Sequence, residues 1–394
     1  VRSLRERAPA RGASGLHLPP TEGRVKRIAY LTPLYFADES VVGGGERYPV
    51  NLAVGVVAAG HSEFTVEVVS YGPRGFTREL QPGVTLRVLP LAHPPRDPMD
   101  SVSWGMPEVV ADADLIHIHQ AYTRQAEVAI ILAKVYGKPI CVTDHGGASS
   151  RIGVEFGSLD VADRVVCQSE FAARALRTTA PIVLVKGGVD ADHFRPPETP
   201  PNRDRVLFVG RLLPHKGIDQ LIAALPSDLP LTVCGRAYHT DYFDVLRRLA
   251  EGKRVEFRTD AADDEVRDLY RRAWATVLPS VYRDYYSHSH VQPELMGFAL
   301  LESMACGTPA VCSRVGGMPE FVRHGRTGFV FDDLSELAGY LRALATDPGL
   351  ADRIGREARR VVEREFDRRI CGEKLVTLYR ELLAGGRAVG RRAA

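Results

Sequence analysis

The chain alternates short apolar runs, typical of buried strands, with longer amphipathic stretches, typical of helices. In its first half the pattern predicts strands at 27–31, 64–70, 115–119 and 140–143 and helices at 46–57, 124–136 and 170–177. A helix between successive strands requires a crossover, so neighbouring strands run parallel and helices cover both faces of the sheet. This order constrains the first half to a doubly wound α/β domain.

A proline-rich segment at 196–202 (PPETPPN) interrupts the alternation. Proline at this density resists both helix and sheet, so the segment predicts a linker. The pattern then returns, with strands at 206–209, 231–234, 255–257 and 275–278 and helices at 217–225, 242–250 and 263–272. A single core stops growing at roughly 250 to 300 residues, and this chain has 394. We therefore predict two Rossmann-like, doubly wound domains at 25–195 and 205–365, joined by a linker at 196–204.

Two such domains would face each other across a cleft at the carboxyl ends of both sheets, where doubly wound folds bind their ligands. The ends of the chain, 1–24 and 385–394, carry arginines among Pro, Gly and Ala. This composition predicts disordered basic tails, with contact to anionic lipid as the alternative.

Composition narrows the class of protein. The net charge of +2 gives no global reason to expect a nucleic-acid partner. No apolar run approaches the roughly 18 residues that a membrane span needs, and the first 30 residues lack the apolar core of a signal peptide. The six cysteines lack CxxC or zinc-finger spacing, which indicates reduced core thiols. We expect a cytoplasmic protein without nucleic acid, structural zinc or membrane contact.

Two carboxylates, Glu294 and Glu302, flank Gly297. Because glycine lacks a Cβ and lets a ligand approach the backbone, Gly297 suits a helix start better than a helix interior. We predict that Glu294 lies on the incoming loop and Glu302 within the helix. The first turn would then offer three free N–H groups to an anion, those of Phe298, Ala299 and Leu300. Two solvated glutamates on an amphipathic helix are the alternative, but the apolar run 300–305, ended by Gly and Pro, indicates a buried helix.

Two cations follow the first predicted strand of the second half. Arg211 and Lys216 stand between Gly210 and Gly217, just before a helix. A guanidinium fork and an ammonium charge together suit a diphosphate, and a solvated pair on a loop is the alternative.

A glycine cluster at 43–45 joins the first strand to the first helix. The dehydrogenase fingerprint GxGxxG fails here because Tyr48 stands where the third glycine is required. A flexible turn without a ligand is the alternative to a phosphate contact.

Histidines mark the ends of two predicted strands. His117 and His119 alternate along strand 115–119 and so lie on the same face. His119 is nearer the carboxyl end and should reach the cleft, whereas we expect His117 to be packed. His145 follows the strand 140–143 and is a second candidate for the cleft.

The stretch 281–293 is rich in Tyr and His, and it offers Tyr285 and His288 as acceptor contacts. A long loop over a cleft is often functional, but a flexible loop is an equal alternative. Asp284 and His290 nearby could suggest a metal site, yet no secondary structure supports the spacing, so we expect no metal.

Residues 293–309, together with 315–322 and 325–330, resemble the signature of the retaining family-4 glycosyltransferases. The nucleotide-sugar site of that family is built around two glutamates separated by seven residues. The resemblance implies a GT-B fold, whose last helix, here 366–384, returns to the first domain. It also implies an enzyme that needs no metal or other cofactor.

The resemblance implies roles for the matching residues. Arg211, Lys216 and Glu294 would act on the diphosphate and the sugar, and His119 would lie beside the reacting sugar and the acceptor. His145 is similar to the family's His-Gly turn. The residues expected to bind the donor are Gly44, Gly45, Gly210, Gly297, Phe298, Ala299, Leu300 and Glu302, with the ribose at Glu302.

The implied activity is transfer, with retention, from a nucleotide-diphosphate sugar to an acceptor hydroxyl, which we expect to belong to a soluble small molecule. A nucleotide-sugar-binding protein without activity, or a GT-B nucleotide-sugar epimerase, is the alternative. The chain departs from the family pattern in the long stretch 281–293 and in Gly187, which replaces an asparagine.

Overall fold

The structure, a computed structural model, describes residues 24–33, 44–146, 151–155, 157–199 and 201–389. Two separate sheets form two α/β domains, which confirms the predicted fold class. The predicted tail at 1–24 lies outside the described residues except for Arg24, and so does the part of the predicted tail at 385–394 that follows residue 389.

The first domain is built on an eight-stranded sheet with the order β3-β4-β2-β1-β5-β6-β7-β8. Its strands are β1 Lys26–Leu31, β2 Phe64–Gly72, β3 Phe76–Gln81, β4 Val84–Pro90, β5 Leu115–His119, β6 Ile140–Thr143, β7 Arg164–Cys167 and β8 Ile182–Leu184. Its helices are α1 Gly44–Ala59, α2 Met106–Asp112, α3 Arg124–Val135, α4 Arg151–Glu155 and α5 Glu170–Ala175. Neighbouring strands are parallel except β3 and β4, which form an antiparallel hairpin.

Sequence patterns missed the β3–β4 hairpin, strands β7 and β8, and helix α2. Strand β3 reads FTRELQ and none of its residues is buried, so it carries no apolar run. Strands β7 and β8 have only four and three residues.

The second domain is built on a six-stranded parallel sheet with the order β11-β10-β9-β12-β13-β14. Its strands are β9 Arg205–Val209, β10 Leu231–Cys234, β11 Val255–Arg258, β12 Ala273–Leu278, β13 Ala310–Ser313 and β14 Gly328–Phe331. Its helices are α6 Ile218–Ala224, α7 Thr240–Leu249, α8 Asp263–Arg272, α9 Phe298–Ala305, α10 Leu334–Thr346 and α11 Pro348–Val361. A π-helical turn, Val362–Phe366, leads into α12, Arg368–Val389.

The chain crosses between the domains before the proline-rich segment. Val189 and Phe194 are buried in the core of the second domain, so the predicted linker at 196–204 lies too far along the chain. At the crossing the N–H groups of Gly188 and Val189 donate to the carbonyl oxygen of Phe366, at 2.9 and 3.1 Å. The outgoing chain and the returning chain therefore run side by side.

Helix α12 returns to the first domain and packs against α1. The two backbones touch at a pair of glycines, because a Cβ placed on Gly372 would lie 2.1 Å from the carbonyl oxygen of Gly55. The helix continues to Val389, past the predicted end at residue 384.

A buried polar chain ties α12 to the first sheet. The Tyr379 hydroxyl lies 2.7 Å from the Tyr30 hydroxyl and 2.5 Å from Nδ1 of His117, whose Nε2 lies 2.7 Å from the Thr143 hydroxyl. His117 is fully buried, which confirms that it is packed. Burial lowers the pKa of His117 to about 3, with a smaller contribution from His145, so the imidazole is neutral near pH 7.

A pH dependence of stability follows from His117. The unfolded histidine takes up a proton near pH 6.5 and the folded one does not, so the unfolded state binds more protons and the free energy of unfolding falls as the pH drops. Between pH 7 and pH 5 we expect His117→Gln to lose roughly 2 kcal/mol less stability than the parent protein. Urea denaturation at both pH values measures the difference, and equal losses would contradict a neutral buried His117.

Candidate active site between the domains

The two domains meet along loops that follow the carboxyl ends of their strands. Ser169, just after β7, donates to the carbonyl oxygen of Leu295, in the loop after β12, at 2.6 Å. Across the same cleft, Tyr48 of α1 and Phe298 of α9 pack edge to face, with ring centroids 5.1 Å apart. The sequence predicts the ligand site in this cleft.

Lys216 and Glu294 form a direct ion pair in which Nζ and Oε2 are 2.6 Å apart and the side chains are 13% and 12% exposed. Lys216 ends the short turn after β9, and Glu294 lies in the loop after the adjacent strand β12. The backbone of Glu294 is fixed from a third loop, because the N–H of Gly317 donates to its carbonyl oxygen at 3.1 Å. The structure thus brings together the predicted phosphate ligand and the predicted sugar ligand.

Helix α9 begins after Gly297, whose φ of 92° is a left-handed conformation that glycine adopts without a Cβ clash. The N–H groups of Phe298 and Ala299 have no partner inside the helix, as expected for a helix start. The N–H of Leu300 does, since it donates to the carbonyl oxygen of Gly297 at 3.0 Å. The prediction that Leu300 offers a free N–H is therefore wrong.

Glu302 lies inside α9 and is 4% exposed, with a hydrogen bond to each carboxylate oxygen. The Tyr270 hydroxyl donates to Oε2 at 2.9 Å. Nη1 of Arg47, from α1 of the other domain, donates to Oε1 at 2.9 Å. Sequence reasoning missed Arg47: it follows the glycine cluster by two residues, but its partner is 255 residues away.

His119 and His145 lie side by side at the ends of β5 and β6. Nδ1 of His119 faces Nε2 of His145 at 3.4 Å, and Nδ1 of His145 faces the side-chain nitrogen of Gln168 at 2.7 Å. With Gln168 donating, each histidine carries its proton on Nε2. Nε2 of His119 is buried without a hydrogen-bond partner in the described part of the chain. Sequence reasoning missed Gln168, which follows the short strand β7.

The two histidines are neutral near pH 7. Burial lowers the pKa of His145 to about 4. Burial, and then the neighbouring His117 and His145, hold the pKa of His119 well below its ordinary value. A neutral imidazole whose N–H has no protein partner is suited to donate a hydrogen bond to a ligand.

The stretch 281–293 is an ordered hairpin organised by Asp284. The carboxylate of Asp284 accepts from the N–H groups of Tyr286 and His288, both at 2.9 Å, and contacts Nε2 of His290 at 2.7 Å. The His290 ring lies 5.0 Å from the His215 ring, beside Lys216. The base of the hairpin is therefore attached to the loop that carries Lys216.

The tip of the hairpin points elsewhere. Tyr285 is 48% exposed and lies against Tyr242 of α7, with ring centroids 6.4 Å apart. The His288 side chain is 74% exposed. Within the described residues, no hydrogen bond, ion pair or ring contact joins Tyr285 or His288 to the Lys216–Glu294 pair or to His119. The structure does not gather the predicted acceptor residues into one cluster.

The other predicted donor residues lie at the starts of two helices or on the loops before them. Gly44 and Gly45 are the first two residues of α1, so the helix starts two residues earlier than predicted. Arg211 follows β9 and is exposed. The N–H of Gly210 donates to the carbonyl oxygen of Cys234 at 3.0 Å, which holds this loop against the end of β10.

No group of three or more His, Cys, Asp and Glu side chains among the described residues is arranged to hold a metal ion. None of the helices described has the length and apolarity that crossing a membrane requires.

Two family models match the chain side by side. "Glycosyltransferase Family 4" matches residues 42–193, and "Glycosyl transferases group 1" matches residues 189–361. Together they span most of the chain and meet where it crosses between the domains. The chain belongs to the family-4 glycosyltransferases.

Relatives of this glycosyltransferase cover most of its length. Glycogen synthase of Mycobacterium tuberculosis is 29% identical over 383 aligned positions, which cover 83% of this chain and 88% of the relative. D-inositol 3-phosphate glycosyltransferase of Acidothermus cellulolyticus is 29% identical over 436 positions, which cover 94% and 93%. The solved structure of Anabaena HepE in complex with UDP and glucose matches with a TM-score of 0.67 at 19% identity, covering 90% of this chain and 100% of that one. The likeness confirms the GT-B fold.

In this glycosyltransferase a carboxylate of the second domain caps a helix of the first. Glu320 accepts from the N–H groups of Glu170 and Phe171, at 2.9 and 2.8 Å, at the start of α5. Nζ of Lys186 lies 2.7 Å from the same carboxylate. Burial raises the pKa of Glu320, but Lys186 and the two N–H groups outweigh it and lower the pKa overall. The contact holds the domains together beside the cleft.

The position of Glu294 depends on Gly316, because a Cβ on Gly316 would lie 1.8 Å from the Glu294 carbonyl oxygen. Gly316→Ala must therefore displace the backbone of Glu294. We expect it to lower the free energy of unfolding by about 2 kcal/mol more than the matched change Gly325→Ala. Gly325 has a φ of 72°, close to the 63° of Gly316, but a Cβ there meets nothing within 4 Å.

The matched change Gly325→Ala carries only the cost of a left-handed alanine, about 1 to 2 kcal/mol. Urea denaturation of both variants measures the comparison. Equal losses of stability would show that the Glu294 backbone is not held against Gly316.

Proposed function

We propose that the protein transfers a glycosyl group from a nucleotide-diphosphate sugar to an acceptor hydroxyl, with retention at the anomeric carbon and without a divalent ion. The observation that carries the proposal is the Lys216–Glu294 ion pair beside the start of α9, with Glu302 about one turn further along the helix. The relatives, which are glycosyltransferases, support the reaction class, and the HepE complex with UDP and glucose supports a nucleotide-linked donor.

The diphosphate would lie between Lys216 and the first turn of α9. An ammonium group has three N–H bonds, so Lys216 can keep Glu294 and still donate to a phosphate oxygen. The N–H groups of Phe298 and Ala299 add partial positive charge, and Arg211 is exposed and able to move onto the phosphates. These groups replace the charge that a divalent ion would supply.

The sugar and the ribose would lie on either side of the diphosphate. Glu294 would accept hydrogen bonds from the sugar hydroxyls, and Glu302 from the ribose hydroxyls. As the bond to the anomeric carbon breaks, positive charge grows on the sugar and negative charge on the leaving diphosphate. Cations that are already in place lower the barrier because they meet charge that appears only in the transition state.

His119 would supply a further contact to the sugar. Its Nε2 is buried without a partner in the described part of the chain, and burial keeps the imidazole neutral. The N–H would therefore donate to a sugar hydroxyl and would not act as an acid near pH 7.

The acceptor is proposed to be a soluble small molecule with a free hydroxyl. The name of D-inositol 3-phosphate glycosyltransferase, a relative that matches 94% of this chain, supports a small polyol. The tyrosines at the tip of the hairpin, which the family pattern lacks, remain candidate acceptor contacts.

Removal of either member of the ion pair tests the proposed site. We expect Lys216→Ala and Glu294→Ala each to lower kcat by about 100-fold to 1,000-fold, because each removes a group that stabilises the transition state. The thermal unfolding curves should remain cooperative. The matched control is Asp332→Ala, which breaks an exposed ion pair with Arg314 in the same domain and should leave kcat unchanged. Near-normal kcat in both active-site variants would refute these roles.

Product analysis separates transfer from the alternatives. The protein is incubated with UDP-, GDP-, ADP- or dTDP-sugars, alone and with polyol acceptors, in the presence of EDTA. We expect release of nucleotide only when an acceptor is present, and NMR should show a product with the donor's anomeric configuration. An epimerised sugar without acceptor would support an epimerase, and binding without any product would support an inactive nucleotide-sugar-binding protein. Loss of activity in EDTA would contradict metal independence.

A further inference from the structure

The carboxylate proposed to hold the ribose already accepts one hydrogen bond at each of its oxygens. The Tyr270 hydroxyl donates a hydrogen bond to Oε2 of Glu302 at 2.9 Å, and Nη1 of Arg47 donates one to Oε1 at 2.9 Å. The side chains of Arg47 and Glu302 are only 13% and 6% exposed, so little space remains around this ion pair. A ribose cannot donate to Oε1 along the same direction while Arg47 is there.

Arg47 has a second partner that does not depend on the ribose. Its Nη2 contacts the carboxylate of Asp263, the first residue of α8, whose side chain is 45% exposed. The guanidinium also lies over the ring of Phe194, 5.5 Å from its centroid. Burial opposes the charge on Arg47, but the carboxylates of Glu302 and Asp263 raise its pKa above the ordinary value, so it stays protonated.

The ion pair crosses the cleft between the domains. Arg47 belongs to the first turn of α1 in the first domain, whereas Glu302 and Asp263 belong to α9 and α8 in the second. An arginine can leave one carboxylate and keep the other, because its five N–H bonds form separate hydrogen bonds. Replacing Arg47 by another partner at Glu302 would therefore change a contact between the two domains.

We infer that Arg47 and the donor's ribose compete for Glu302, so that a bound ribose displaces Arg47 from Glu302 while Arg47 remains on Asp263. The inference rests on the proposed function, because it takes Glu302 as the ribose ligand. Arg47 is then a positioning residue that couples nucleotide binding to the contact between the domains. Part of the binding free energy is used to break the Arg47–Glu302 pair, so the apparent affinity is lower than that of an open subsite.

The test compares three ligands by isothermal titration. UDP, GDP and ADP are first titrated into the parent protein, and the tightest binder is kept. Its 2′,3′-dideoxy form and inorganic pyrophosphate are then titrated into the parent protein and into Arg47→Ala. We expect Arg47→Ala to bind the ribonucleotide about three- to tenfold more tightly, with the dideoxy form and pyrophosphate unchanged within about twofold. The ratio of the dideoxy Kd to the ribonucleotide Kd should rise by the same three- to tenfold.

The matched control is Lys186→Ala. Lys186 also joins the two domains, through Glu320 at 2.7 Å, but it does not contact Glu302. It should leave the ratio of the two Kd values unchanged, which separates occupation of the ribose subsite from a loosened interface. Arg47→Gln keeps most of the side-chain volume without the charge and replaces Arg47→Ala if the latter does not fold.

The outcomes are distinct. An unchanged or smaller ratio in the Arg47 variant overturns the inference. Weaker binding of pyrophosphate in that variant also overturns it, because Arg47 would then be a phosphate ligand. If the parent protein binds a nucleotide and its dideoxy form with equal affinity, Glu302 does not bind the ribose hydroxyls. That result also overturns the inference. A parent protein that binds none of the three nucleotides, and that transfers sugar from none of the donors in the product analysis, contradicts the proposed function itself.

Discussion

The site depends on the pairing of β9 with β12. These parallel strands are neighbours in the sheet although many residues separate them in sequence, and their connections then run to opposite sides of the pair. A crevice opens where the connections diverge, and the loops that leave the two strands carry Lys216 and Glu294. Their ion pair, 2.6 Å long, is therefore a direct consequence of strand order. The first sheet has the same arrangement between β1 and β5, and these strands lead to α1 and to His119.

Much of this arrangement could be predicted from the sequence because it is local. The alternation of apolar runs with helical stretches gave the two doubly wound domains, and Gly297 marked the start of α9. The linker could not be placed in the same way. A high density of proline indicates where regular secondary structure ends. The domain boundary depends instead on which domain core buries Val189 and Phe194. Contacts between residues that are distant in sequence determine which core this is.

The residues that sequence reasoning missed share one physical property: they act through distant partners. Arg47 bonds to a glutamate 255 residues away, and Gln168 orients a histidine from the next strand. Neither residue stands out by type or spacing. The hairpin at 281–293 could not be predicted for a different reason. The buried carboxylate of Asp284 accepts backbone N–H groups inside a segment that has no strand or helix pattern, and backbone hydrogen bonds add to this contact.

The buried histidines limit what chemistry the first domain can contribute. His117 is held between Tyr379 and Thr143, and its ring stacks on His119 at 4.4 Å between centroids. Protonating either ring would place a charge away from water, which is why burial holds both pKa values low. In the proposed reaction the first domain therefore offers a fixed hydrogen-bond donor. The charges that stabilise the leaving group come from Lys216, Arg211 and the start of α9, all in the second domain. The first domain then contributes a hydrogen bond to a sugar that is still bonded to the diphosphate held by the second domain.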